Sequence, residues 1–168
     1  KDEEYKYTNL KEITEKDYQF TPKIAHTLTQ DAIDGLAFGK DEFDKIVFVN
    51  GVFNQELSSI SLDKAIFKPL AEAFEDISLR ADLDQYFNKI AHQDLAFTNL
   101  NLALFTSGFF LKVPKNTVVE RPIHLFYLSQ NQDENTIYNP RNLMIVEAGA
   151  KVEVIEHHYN FDEYFTFT

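Results

Sequence analysis

The chain has no cysteine, so no disulfide, zinc–thiolate site or thiolate-ligated cluster can be built from its residues alone. Basic residues are also scarce, with 16 Lys and Arg against 27 Asp and Glu, for a net charge of −11. The acidic excess is even: 12 acids to 7 bases in residues 1–60, 7 to 4 in 61–105, and 8 to 5 thereafter. No basic stripe exists to track a phosphate backbone, so nucleic acid is a poor partner. An anionic membrane surface is disfavoured for the same reason. Purely apolar runs reach only about four residues, as in Ile46–Val49, far short of a membrane span. No signal-peptide pattern opens the chain, and a cytoplasmic location is expected. Lys1 in place of an initiator methionine points to a trimmed or partial chain.

Tryptophan is missing too, but 16 Phe, 8 Tyr and 44% hydrophobic residues supply ample core material. Disorder of the whole is therefore excluded. The 168 residues suffice for one sizeable core, or a core with a smaller appendage. A domain of this size buries roughly 70% of the surface its unfolded chain exposes.

The hydrophobic period changes once along the chain. Phe97, Leu100, Ala103 and Leu104 recur at helical spacing, predicting a helix over Leu95–Phe105 that Gly108 closes in a left-handed conformation. From Phe109 onward the period is that of extended chain. Strands are predicted at Phe109–Val113, Val118–Leu128, Leu143–Glu147 and Lys151–His158, with a polar insert at Ser129–Asn142 in which Thr136–Tyr138 can pair briefly. Before the switch, Lys45–Asn50 reads as a strand leading into an Asn50-Gly51 hairpin and a second strand through Val52–Leu57. Ser61 is placed to cap a helix from Leu62, and helical spacing recurs in Pro69–Asp76 and Leu79–Ile90. Lys1–Lys16 fits a short helix or turn, Gln19–Asp31 looks irregular, and Asp34–Lys40, with Gly35 and Gly39, reads as loop.

A weak repeat marks the second half. VPKNTVV (Val113–Val119) aligns with VEAGAKV (Val146–Val152) at a displacement of 33 residues. Asn116 and Gly149 share the slot where a left-handed backbone bends one strand into the next, and the small Thr117 and Ala150 follow. Repeated corners suggest a β-helix whose coils stack apolar faces. An ordinary β-sandwich fragment is the alternative.

Chemistry-bearing residues form no constellation. His157 and His158 are adjacent on a strand, so their side chains point to opposite faces and cannot easily share a metal. His26 and His92 lack companion ligands, and His124 reads as a half-exposed strand residue. No His-x-His occurs, and Glu156 with His158 is a weak pair, which counts against a cupin-like metalloprotein. Glu72, Glu75 and Asp76 fit the solvated face of a helix, while Glu153 and Glu156 fall on opposite strand faces, poorly placed for acid–base work. Asp is scarce in the strands, against a carbohydrate-active β-helix enzyme. Phosphate loop, nucleophile elbow and dinucleotide fingerprint are all absent. No catalytic, cofactor-binding or metal-binding residue is assigned.

Four segments in order carry a family resemblance: EEYKYTNLKEI (Tyr5 where tryptophan is usual), IVFVNGVFNQELSSI, FTNLNLALFTSGFFLKVPKNTVVERPIHL and PRNLMIVEAGAKVEVIEHHY. Together they resemble the N-terminal portion of SufD-like subunits of the SufB–SufC–SufD iron–sulfur cluster assembly scaffold. The resemblance implies an α+β N-terminal cap over residues 1–105. It also implies, over 106–168, the first coils of a right-handed parallel β-helix. The implied role is a non-catalytic scaffold without a nucleotide site, pairing with a SufB-like subunit and a SufC-like ATPase. The cluster would be cargo of the complex, with no cofactor held by this chain. The regions for ATPase docking and cluster building lie outside this chain, so no site residue is carried over. An unfinished β-helix leaves unpaired backbone groups on its last coil, so self-association there, as a homodimer, is a further expectation.

Overall fold

A computed structural model describes residues 9–20, 25–37, 42–62, 64–91, 95–130, 133–161, 163 and 166–167. The opening EEYKYT, Gly39 and His92 lie outside them. The elements in chain order are α1 (Lys11–Thr14), α2 (Gln30–Asp34), β1 (Asp44–Val49), β2 (Val52–Phe53), β3 (Ile66–Pro69) and α3 (Leu70–Glu75). A short 3₁₀ turn (Ile77–Leu79) leads to α4 (Arg80–Tyr86) and α5 (Ala96–Leu104). Then come β4 (Phe109–Val113), β5 (Ile123–Ser129), β6 (Thr136–Ile137), β7 (Leu143–Val146), β8 (Val154–Asn160) and β9 (Thr166–Phe167).

After α5 the chain makes two passes, and the second lies parallel to the first. β7 pairs with β4 from Phe110↔Leu143 to Val113↔Val146, the 33-residue displacement of the sequence repeat. β8 pairs with β5 from Ile123↔Val154 to Ser129↔Asn160, and β9 pairs with β6 at Thr136↔Thr166. Isolated parallel bridges, Ser107↔Pro140 and Val118↔Lys151, fill the gaps. Strands from before residue 105 extend two of these sheets: β1 runs parallel to β5 and carries β2, and β3 lies antiparallel against β4.

The corners follow backbone chemistry. Asn50 and Gly51 both take positive φ, 52° and 77°, as a tight hairpin turn between right-twisted strands requires, and β1 meets β2 at Val49↔Val52. Asn116 (φ 58°) and Gly149 (φ 71°) are both left-handed and lie one upon the other. A Cβ on residue 149 would sit 2.4 Å from Asn116 Oδ1, the movable end of that side chain.

β5 separates two cores. Ile123, Leu125 and Tyr127 meet Ile46, Phe48, Phe109, Leu111 and Val113 on one face. Phe126 and Leu128 meet Val47, Val49 and Ile33 of α2 on the other. All seven β5 residues are buried, the pattern of a parallel strand covered on both faces. A third cluster joins Ala73, Leu79 and Leu83 of the helical region to Phe110 and Leu143.

Several local expectations are corrected. No helix follows Ser61; Ser61 N–H instead donates to Asp44 Oδ1 (2.8 Å), and Ile66–Pro69 is strand β3, drawn into pairing by Phe109–Lys112. The strand after the hairpin stops at Phe53, because Asn54 Oδ1 accepts from Leu57 N–H and turns the chain. Helix α2 lies where irregular chain and loop were expected; Thr29 caps it by accepting from Ala32 N–H. Gly108 does not close α5. That helix ends at Phe105 in extended conformation, whereas Gly108 (φ 148°) lies where the second pass crosses the first.

Candidate functional site

The second pass is the outer layer of the described sheets. Among the described residues β7 and β8 have neighbours on one edge only, so each presents a row of backbone donors and acceptors on the other. Met144 and Val146 on β7 are 45% and 47% exposed, in register with buried Leu111 and Val113. They lie where an inner layer would continue. Glu156 and His158 on β8 pair with Leu125 and Tyr127 and are also exposed, His158 Nε2 lying 3.4 Å from Glu156 Oε1. An aromatic stack crosses three strands here: Phe48 on Tyr127 (5.3 Å) and Tyr127 on His158 (5.0 Å). Tyr127 Oη accepts from Asn142 Nδ2 at 2.6 Å, and burial raises its pKa.

The opposite face of β5 and β8 holds a buried imidazole pair. His124 Nδ1 and His157 Nε2 are 2.9 Å apart, and the two residues are only 1% and 3% exposed. Phe43 stacks on His124 (4.4 Å) and Phe126 on His157 (4.4 Å). Burial lowers the pKa of both rings; Glu153 opposes this for His124, and the charges of His124 and His158 reinforce it for His157. His124 is therefore not the half-exposed strand residue expected, because α2 and its flanks cover this face. His157 and His158 do point to opposite faces, one buried and one exposed. His26 Nε2 lies 2.9 Å from Asn54 Nδ2.

The carboxylates serve as anchors. Lys112 Nζ reaches Asp82 of α4 (2.7 Å) and Glu147 after β7 (3.2 Å), tying the helical layer to both passes. Lys112 is raised in pKa chiefly by Asp82. Glu147 is lowered first by the Lys115 N–H and then by Lys112. Glu72 and Glu75 are exposed on α3. Asp76, at its end, is held near pKa 2 by Lys68 and by the Ser78 hydroxyl and N–H. A cleft of about 380 Å³ is lined by Arg121 and Asp44 among others, a pair 3.1 Å apart. Among the described residues no group of three His, Asp or Glu is placed to hold a metal ion, and no helix is long and apolar enough to cross a membrane.

Comparison with known proteins identifies the architecture's relatives. The family model described as the SufBD protein N-terminal region matches residues 1–125. An iron–sulfur cluster assembly SufBD family protein of Synechocystis sp. is 29% identical over 159 residues, covering 93% of this chain and 34% of its own. One from Arabidopsis thaliana is 34% identical over 118 residues (66% and 24%). One from Staphylococcus saprophyticus is 26% identical over 156 residues (89% and 32%). The chain thus spans between about a quarter and a third of the length of these relatives. With three quarters of its residues inside the family model, the chain belongs to the SufBD family and carries that family's N-terminal region.

Proposed function

We propose that the chain is part of a non-catalytic, SufD-like scaffold subunit for iron–sulfur cluster assembly, pairing with a SufB-like subunit and a SufC-like ATPase in the cytoplasm. On this reading residues 1–105 form an α+β cap and residues 106–168 begin a right-handed parallel β-helix. The cluster is cargo of the assembled complex, and this chain holds no cofactor of its own.

The observation that supports this reading best is the parallel stacking of the second pass on the first. Val113 pairs with Val146, His124 with Ile155 and Thr136 with Thr166, and left-handed corners at Asn116 and Gly149 coincide. Stacked passes grow by adding another strand to each sheet, and β7 and β8 offer the edges for it. Family membership, and relatives that are iron–sulfur cluster assembly SufBD family proteins, support the cargo.

The test is affinity purification of the full-length protein from its host, with quantification of co-purifying subunits. Stoichiometric recovery of a SufB-like protein and an ATPase is expected. Recovery of the protein alone with a tightly bound metal, or cleavage of polysaccharide by the pure protein, would overturn the scaffold reading in favour of a cupin-like metalloprotein or a carbohydrate-active enzyme.

A further inference from the structure

The Asn50-Gly51 turn is fixed twice by the fold. Both residues take positive φ, 52° and 77°, which asparagine and glycine tolerate best. The Tyr138 ring also packs against Gly51, and a Cβ there would sit 3.0 Å from its Cγ and Cδ1. Glycine is therefore required at this position, and with it comes a chemical liability. With no side chain on Gly51, its amide nitrogen is unshielded toward the Asn50 carboxamide. This is the one Asn-Gly step in the sequence.

In the folded chain that carboxamide faces elsewhere. Asn50 is fully buried, and its amide imitates a paired backbone segment opposite Gln130. Asn50 Nδ2 donates to the Gln130 carbonyl and Oδ1 accepts the Gln130 N–H, both at 2.9 Å. Tyr138 Oη donates to the same Oδ1 (3.4 Å). The Asn50 N–H donates to Leu128 O (2.8 Å), and Ser107 Oγ donates to the Gly51 carbonyl. All of these partners lie on the first pass or on the insert that follows it, and none lies on the outer edges of β7 and β8.

We infer that Asn50 is a conformation-gated deamidation site, protected while the β1–β2 hairpin is closed and converted irreversibly once it opens. In the reaction the Gly51 nitrogen bonds to Asn50 Cγ and the Cγ–Nδ2 bond breaks. Nδ2 leaves as ammonia, taking the Gly51 amide proton. Water then opens the resulting succinimide at either carbonyl, leaving aspartate or isoaspartate. Neither product refits the site. An aspartate puts a carboxylate oxygen where Nδ2 was, 2.9 Å from the Gln130 carbonyl oxygen, so two acceptors meet in a buried place. An isoaspartate adds one backbone carbon to a turn whose length sets the pairing of its strands. Chains that stay open long enough are thus marked and kept from closing. The inference rests on the geometry around Asn50, independently of the assembly role above.

The test incubates the full-length protein in mildly alkaline buffer, folded and in urea, and follows conversion at Asn50 by peptide mass spectrometry. A synthetic peptide spanning residues 46–55 gives the rate of the open chain in the same buffer. Opening the site gives up two amide hydrogen bonds, so the folded protein should convert about thirtyfold or more slowly than the peptide. The urea-unfolded protein should match the peptide. Ser107→Ala releases the Gly51 carbonyl and should speed conversion about fivefold while the circular dichroism spectrum stays native. Asn50→Asp reproduces the aspartate product and should melt at least about 4 °C lower or fail to fold. Conversion of the folded protein as fast as the peptide would overturn the proposal. An unchanged rate in folded Ser107→Ala, or a native melting temperature for Asn50→Asp, would do the same.

Discussion

Replacing Gly108 by alanine would place a Cβ 1.8 Å from the carbonyl oxygen of Arg141 and 2.6 Å from its carbonyl carbon. These are backbone atoms of the second pass, so no side chain can swing aside. Relief to ordinary contact, about 3.5 Å, requires the two passes to separate locally by more than 1 Å. Two hydrogen bonds hold that junction, Arg141 N–H to Ser107 O (2.9 Å) and Phe109 N–H to Asn142 Oδ1 (3.2 Å). Losing them costs about 1 kcal/mol each, and a side chain at φ 148° adds about 1–3 kcal/mol of backbone strain. The expected destabilisation is about 3–5 kcal/mol, a large share of the roughly 5–15 kcal/mol available to a domain. Two other glycines calibrate it. Gly149→Ala meets only the end of the Asn116 side chain, at φ 71°, and should cost about 1–2 kcal/mol. Gly35→Ala, at φ −67° with nothing nearer than 3.5 Å, should be neutral or stabilising by up to about 1 kcal/mol. Urea unfolding followed by circular dichroism gives all three. A Gly108→Ala variant within about 1 kcal/mol of Gly35→Ala would refute the reasoning.

The His124–His157 pair predicts acid sensitivity. Both rings are pushed below the ordinary value near 6.5, so the unfolded chain takes up protons first, and stability falls as pH drops from about 6.5. The Lys45–Asp34 ion pair and Glu153 face this site, and His158 lies on the other side of the strand. The double variant His124→Phe/His157→Phe should flatten the decline of the urea midpoint between pH 7.5 and 5; an unchanged slope counts against the pair. Lys112→Met should cost about 1–2 kcal/mol by leaving Asp82 without its donor, lowering the melting temperature by roughly 2–8 °C. No change would show the network idle. If the β7 edge mediates association, Val146→Lys should disperse the oligomer in sedimentation velocity without unfolding the chain; persistence of the oligomer would place its interface elsewhere.

The strands and corners of the second half are largely legible because their chemistry is local, although the expected Val118–Leu128 run is a strand only from Ile123 to Ser129, after Pro122, which has no N–H to donate. Asn-Gly demands positive φ whatever surrounds it, and β-branched and aromatic runs such as Lys45–Asn50 and Phe109–Val113 pair wherever a neighbour exists. The 33-residue repeat also carried over, since stacked corners constrain each other directly through Asn116 and Gly149. Gly108 misleads for the opposite reason. Its position after a helix fits a cap, and only the return of Arg141, 33 residues later, shows what removes its side chain. The stretch after Ser61 failed similarly: its local pattern admits a helix, but the exposed edge of β4 recruits Ile66–Pro69 into a sheet.

Side-chain sites were less legible because they are made between passes. His157 lies two residues beyond Ile155, the register partner of His124, and a histidine on a strand looks half-exposed until the element covering its face is known. The useful signal was compositional: Ile123–Leu128 is apolar at both odd and even positions apart from His124, which marks a strand buried on two faces. A polar residue within such a strand must find a partner, and the nearest candidate in the parallel pass is His157. The same reasoning applied to Arg141 gives the opposite outcome. It lies at the start of the second pass, flanked by Pro140 and Asn142, and the elements packed there contribute only the amides of Asn88 and Asn101 and the Phe87 ring. Within the described residues the fold thus neutralises one buried polar group internally and leaves the other cation without a carboxylate.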